Sequence, residues 1–173
     1  MKIKFIHFVF LFLVSFGYSQ DKLDIFDVAR KGTLEQAKEI LKTNPKAAVA
    51  LNADGNSALL LAVYKNNNPV AQFLIDNGAD INGTAKMGTP LMAAVVKGNT
   101  EAVKMLLNKK ADINGFDDNG VTALIYAVQF GNIELVKLFL NNKADKKHTD
   151  KQGKTAFEYA VFAGNEEIIN QLK

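Results

Sequence analysis

Four stretches of the chain repeat one order of apolar and polar positions: "GNSALLLAVYKNN" from Gly55, "GTPLMAAVVKGN" from Gly88, "GVTALIYAVQFGN" from Gly120 and "GKTAFEYAVFAGN" from Gly153. Their hydroxyl residues Ser57, Thr89, Thr122 and Thr155 fall 32, 33 and 33 apart, and Ala62, Ala94, Ala127 and Ala160 keep the same spacings. A second set, "NGADIN" at Asn77, "KKADIN" at Lys109 and "NKADKK" at Asn142, holds Asp80, Asp112 and Asp145 in phase with the first. Two registers kept together over several copies are an internal repeat. In each copy the residues after Ser or Thr read as a short helix, because the hydroxyl caps free backbone N–H groups and Pro90 suits a first turn. Gly98, Gly131 and Gly164 end that helix, since glycine accepts a left-handed backbone without a Cβ penalty. A second helix follows, with apolar residues at i, i+3 and i+4, as in Val103, Leu106 and Leu107 or Val136, Phe139 and Leu140. One such pair cannot bury its apolar face alone, whereas stacked neighbours can. The pattern therefore predicts an all-α repeat solenoid.

On these motifs the chain resembles the ankyrin repeat family. The "TPL" of Thr89 to Leu91, the "TAL" of Thr122 to Leu124, the "GN" pairs at Gly98, Gly131 and Gly164, and the "GADIN" of Gly78 to Asn82 carry the resemblance. An earlier, degenerate copy lies in "LDIFDVARKGTLEQAKEILKTNP", where Ile25, Val28, Ala29, Gly32, Ala37, Ile40 and Leu41 take the equivalent places. The reading is five units, near 21–53, 54–85, 86–117, 118–150 and 151–173, within one repeat domain over 20–173. Three departures from the family pattern stand out. The histidine of its "TPLH" motif, which braces neighbouring loops, is replaced by Leu60, Met92, Ile125 and Glu158, so that network is either absent or rebuilt. The loop before Thr89 is one residue short, which predicts a reshaped finger. Asn66 stands where glycine is expected, and Pro69 falls at the start of a second helix, where proline is tolerated.

The first residues break the pattern. "MKIKFIHFVFLFLVSFGYSQ" has Lys2 and Lys4, an apolar run from Phe5 to Val14 broken only by His7, and small residues at Gly17 and Ser19. That is the order of a secretory signal peptide, 1–19, with the cut expected between Ser19 and Gln20. The run is shorter than the ~20 apolar residues of a spanning helix, although an uncleaved anchor stays the alternative. The expected localisation is exported, periplasmic or secreted.

Composition narrows the chemistry. With 48% hydrophobic and 23% charged residues the chain is an ordinary globular protein. Its formal charge of +3 includes Lys2 and Lys4; without them basic and acidic residues nearly balance and alternate, which gives no nucleic-acid signature. Cysteine is absent, so no disulfide helps the fold even outside the cell. Residues 20–173 hold one histidine, His148, and neither a nucleophile elbow nor a phosphate-cradling loop. Nucleophilic and zinc chemistry lack their usual parts, and a non-enzymatic protein without cofactor is expected, His148 being read as a solvated turn residue.

"DINGFDDNG" invites a calcium reading, which the positions refuse. Counted from Asp112, Phe116 stands where a ligand is needed, Asp117 where the loop needs glycine, and Ala123 where it needs a bidentate Glu. Its acids are turn formers.

The resemblance implies a protein partner bound on the concave face, by loop tips and the ends of the first helices, and a monomer. Carried onto this chain, the helix positions are Arg30, Lys31, Tyr64, Lys65, Val96, Lys97, Gln129, Phe130, Phe162 and Ala163; the loops add Lys86, Met87, Phe116, Asp118 and His148. Two readings of Tyr64, Phe130 and Phe162 stay open: an interface, where aromatics are enriched, or packing on the next unit. Support of an envelope enzyme, inhibition of a toxin and a membrane-associated structural module are the roles that remain.

Overall fold

Among the described residues, ten α-helices follow one another in five pairs: α1 (Ile25–Lys31) with α2 (Leu34–Thr43), α3 (Ala58–Tyr64) with α4 (Asn68–Asp76), α5 (Pro90–Val96) with α6 (Thr100–Asn108), α7 (Ala123–Gln129) with α8 (Ile133–Asn141), and α9 (Ala156–Phe162) with α10 (Glu166–Leu172). The computed structural model describes residues 23–86 and 88–173. The expected leader, its cut between Ser19 and Gln20, and Met87 lie outside the described residues.

The repeat's sequence signals act as local structure. Ser57 Oγ accepts the Leu60 N–H at 3.1 Å, and Thr89, Thr122 and Thr155 Oγ1 accept those of Met92, Ile125 and Glu158, each at 3.3 Å. Pro90 opens α5. After the first helices Gly98, Gly131 and Gly164 take φ of 62°, 63° and 64°, and Asn66 takes the same left-handed conformation at 60°. Asparagine tolerates that region better than most residues, so the second unit keeps the turn without glycine. Asn99, Asn132 and Asn165 cap the second helices by accepting N–H groups of Ala102, Leu135 and Ile168. Asn67 is turned instead toward the first unit, where its amide donates to the Val28, Ala29 and Gly32 carbonyls.

Packing follows from the apolar stripes. The first helices form a row, α1 on α3 on α5 on α7 on α9, and the second helices lie behind it. Ala62, Ala94, Ala127 and Ala160 are fully buried in that row, their small side chains letting successive helices approach. Leu59, Leu91 and Leu124 fill the space between rows, together with Leu74, Leu106 and Phe139 from the second helices. Each such side chain stabilises the fold by roughly 1.5–3 kcal/mol through burial.

Two departures from the repeat are structural. After α2, Pro45–Val49 form a single 3₁₀ turn in place of the Ala-Asp finger of later units, because Pro45 starts it and no Ala-Asp turn residues follow. The short loop before Thr89 closes with Ala85 and Gly88 paired, whereas Leu51 pairs with Ser57 and Phe116 with Thr122 across longer turns. Those longer turns are held by one acceptor side chain. Asn52, Asp117 and Asp150 Oδ1 each accept two N–H groups of their own loop, at 2.8 to 3.0 Å. Ala85 stands in that position in the third unit and offers no oxygen.

The two ends differ. A hollow of about 840 Å³ opens beside the first unit, among Leu23, Phe26, Ile40 and Ala47. At the other end, positions that are apolar in the fourth unit turn polar: Glu158 replaces Ile125, Glu166 replaces Ile133 and Gln171 replaces Leu138. Val161, whose counterparts Val63, Val95 and Val128 are buried, is 51% exposed there.

Candidate functional site

The C-terminal ends of the first helices bring residues of three consecutive units to one hollow. Tyr64 from the end of α3, Ala93 and Val96 from α5, Tyr126 from α7 and Lys86 from the finger before α5 enclose about 220 Å³. Tyr64 is half-buried and held between two ammonium groups, Lys97 Nζ at 5.0 Å and Lys65 Nζ at 5.9 Å from its ring centroid. Such contacts are attractive because the ring face is the negative end of its quadrupole. Phe130 continues the surface. Its ring stacks on Tyr126 at 6.3 Å between centroids and 14° between planes, yet 57% of the residue faces solvent.

Of the residues read from the sequence, Tyr64, Lys65, Lys86, Val96, Lys97 and Phe130 thus form one patch. The others lie apart from it. Lys31 is exposed at the end of α1, Gln129 lies beside the Tyr159 hydroxyl, and Phe162 is 90% exposed at the end of α9. Phe116 and Asp118 occupy the turn before α7, with Phe116 exposed and stacked on His148 at 5.5 Å.

His148 differs from the sequence expectation of a solvated turn residue. It is half-buried, and its Nε2 lies 2.8 Å from the Gly120 carbonyl of the preceding loop. A carbonyl only accepts, so Nε2 carries the proton. Gly120 has φ 77°, and a Cβ there would lie 3.0 Å from the Lys151 nitrogen, so glycine lets the two loops close on each other.

Sequence reasoning missed the polar brace behind the patch. Tyr126 Oη donates to Asp117 Oδ2 at 2.8 Å, and Tyr159 makes the same bond to Asp150. Each bond ties a first helix to its own hairpin turn, in the two units where the turn acceptor is aspartate. This is how loop bracing is rebuilt without the family's histidine, whose positions are filled by buried Leu60, Met92 and Ile125. Burial, and then the bond to the Asp117 carboxylate, pushes the Tyr126 hydroxyl up to about 12. The Asp150 carboxyl is held below its usual value chiefly by the Tyr159 hydroxyl. A signal for the brace was available: Tyr appears four residues after Thr only in the units that carry Asp at the turn.

The finger acids behave as turn chemistry. Asp80, Asp112 and Asp145 Oδ1 each accept the N–H two residues on, and Asn82 and Asn114 Oδ1 accept the N–H of Asp112 and Asp145 in the next finger. Asp112 and Asp117 are therefore occupied by backbone groups rather than poised for an ion. No group of His, Cys, Asp and Glu among the described residues has metal-site geometry.

A stack of paired helices with a hollow across its inner row defines a repeat-solenoid binding scaffold. The family model described as ankyrin repeats, three copies, matches residues 25–117 and 114–173, and the chain belongs to the ankyrin repeat family. Ankyrin repeats are generally protein–protein interaction modules, typically without enzymatic activity. Among curated proteins none matches the chain.

Proposed function

We propose that this protein is an exported, non-enzymatic ankyrin-repeat protein that holds a protein partner on the face lined by its first-helix ends. The partner resides in the cell envelope or outside the cell, where the protein supports or inhibits it. The observation that carries the reading is the exposure of Phe130 and Phe162, 57% and 90%, at positions where folding has no use for a large apolar side chain. Aromatic residues left in solvent are what interface cores use as anchors, and Phe130 lies beside a preformed hollow through its stacking on Tyr126. The leader-like order of residues 1–19 supports export.

The test is capture from the native envelope fraction with the full chain, tagged at its C-terminus, beside a Tyr64→Ala, Phe130→Ala, Phe162→Ala variant whose circular dichroism matches. One partner retained by the first and lost by the second is the expected result. Equal capture by both, or none by either, removes the first-helix face from the function.

A further inference from the structure

We infer that the hollow between Tyr64 and Tyr126 receives an acidic polypeptide segment carrying an apolar anchor residue. This deepens the proposed function and rests on it. Four cations, Lys31, Lys65, Lys86 and Lys97, line or flank the first-helix ends of the first three units, and all are exposed. Among the described residues none pairs with a carboxylate, while other lysines do: Lys104 with Glu134, Lys109 with Asp76 and Lys137 with Glu167, all bridging consecutive second helices. Three lysines of the back are thus paired across units, and the four of the inner face, among the described residues, are not.

The carboxylate behind the hollow is already committed. Asp117 is buried, its oxygens taken by the Asn119 and Val121 N–H groups and the Tyr126 hydroxyl. Two ammonium groups drawn around one Tyr64 ring repel each other, and an incoming carboxylate relieves that repulsion. Lys65 and Lys97 share the one Tyr64 ring, and Lys86 lines the same hollow, so a single incoming acidic segment meets all three; such attraction between exposed charges is screened by salt.

The hollow itself fixes the second half of the partner's chemistry. At about 220 Å³, walled by Ala93, Val96 and two tyrosine rings, it is smaller than the sites that enclose drug-sized molecules, roughly 300–1,000 Å³. It is sized for a single side chain. An acidic chain running along the lysines and placing one apolar residue in the hollow satisfies both features; a nucleic acid satisfies only the first.

The experiment is chemical-shift mapping on the full chain with a Glu-rich peptide bearing a central Leu, its Lys-rich counterpart, and oligothymidylate. The expected result is saturable shifts of Tyr64, Val96, Lys97 and Tyr126 with the Glu-rich peptide alone. Binding should weaken about tenfold on raising salt past the physiological range, where exposed charges are screened. It should vanish in a Lys65→Glu, Lys86→Glu, Lys97→Glu variant, whose exposed sites leave the fold intact by circular dichroism. Equal shifts with the Lys-rich peptide or with oligothymidylate, shifts mapping elsewhere, or unchanged binding by the charge-reversed variant would overturn the inference. Should partner capture still depend on the aromatic residues after such a result, the inner-face reading stands and only the acidic partner falls.

Discussion

The third and fourth units share one helix pair and one core but spend their polar groups differently. In the fourth, the turn before α7 is closed by Asp117, which accepts two backbone N–H groups and the Tyr126 hydroxyl, and the following loop is pinned by His148 on Gly120. In the third, Ala85 and Ala93 stand at the places of Asp117 and Tyr126, the turn is one residue shorter, and Lys86 and Lys97 have no carboxylate partner among the described residues. Polar groups that are consumed in holding a fold are unavailable to a partner. The comparison separates a braced region from one whose charge is free.

The largest effect should be one the two units share. Leu91→Ala and Leu124→Ala remove equivalent, fully buried side chains, and each is expected to cost about 2–5 kcal/mol in a urea titration. A gap between them wider than that range would mean the units differ in packing, not in polar bonding. Next, Asp117→Ala leaves the Asn119 and Val121 N–H groups and the Tyr126 hydroxyl without their acceptor, for an expected loss of about 2–3 kcal/mol. Creating the acceptor with Ala85→Asp should recover little, since the shorter loop lacks the turn it would close.

Titration tests the same brace. Tyr126 is raised from its ordinary 10 to about 12 in the folded protein, so its contribution is fully present below pH 10 and is lost as the pH rises through about 12. For Asp150 the sign reverses. Its carboxyl lies below the ordinary 3.8, so its contribution holds above that value and is lost as the pH falls through the lowered one. Tyr126→Phe should flatten the alkaline limb of a stability–pH curve and leave the acid limb in place. The smallest effect belongs to the free charges: Lys97→Ala should change stability by no more than about 0.5 kcal/mol, as exposed sites do. A larger loss would show that this lysine is part of the fold.

The helix pairs were legible in the sequence because their determinants are local: a hydroxyl at the cap, alanine at the crossing, glycine or asparagine at the left-handed turn. The reshaped finger was legible from a one-residue deficit. What escaped were bonds whose partners lie on different elements. Tyr126 and Asp117 are nine residues apart, and His148 reaches Gly120 across 28; neither separation is a helical or strand period. The 3₁₀ turn at Pro45–Val49 escaped because the first unit departs most from the others. For the candidate site, alignment named Tyr64, Lys65, Lys86, Val96, Lys97 and Phe130. Tyr126 was missed because it lies one turn before the helix-end positions, and the earlier units hold Leu61 and Ala93 at its place.

The polar substitutions on the last unit reach beyond this one molecule. Glu158 is ionised and anchored, its carboxylate accepting the Thr155 N–H, and its pKa is depressed by that bond. A second copy stacking on the exposed Val161 edge would have to strip water from the exposed Glu158 and Glu166. Head-to-tail contacts between identical chains grow into filaments when nothing closes the ring. At this face of the described repeat, the two carboxylates weigh against such growth.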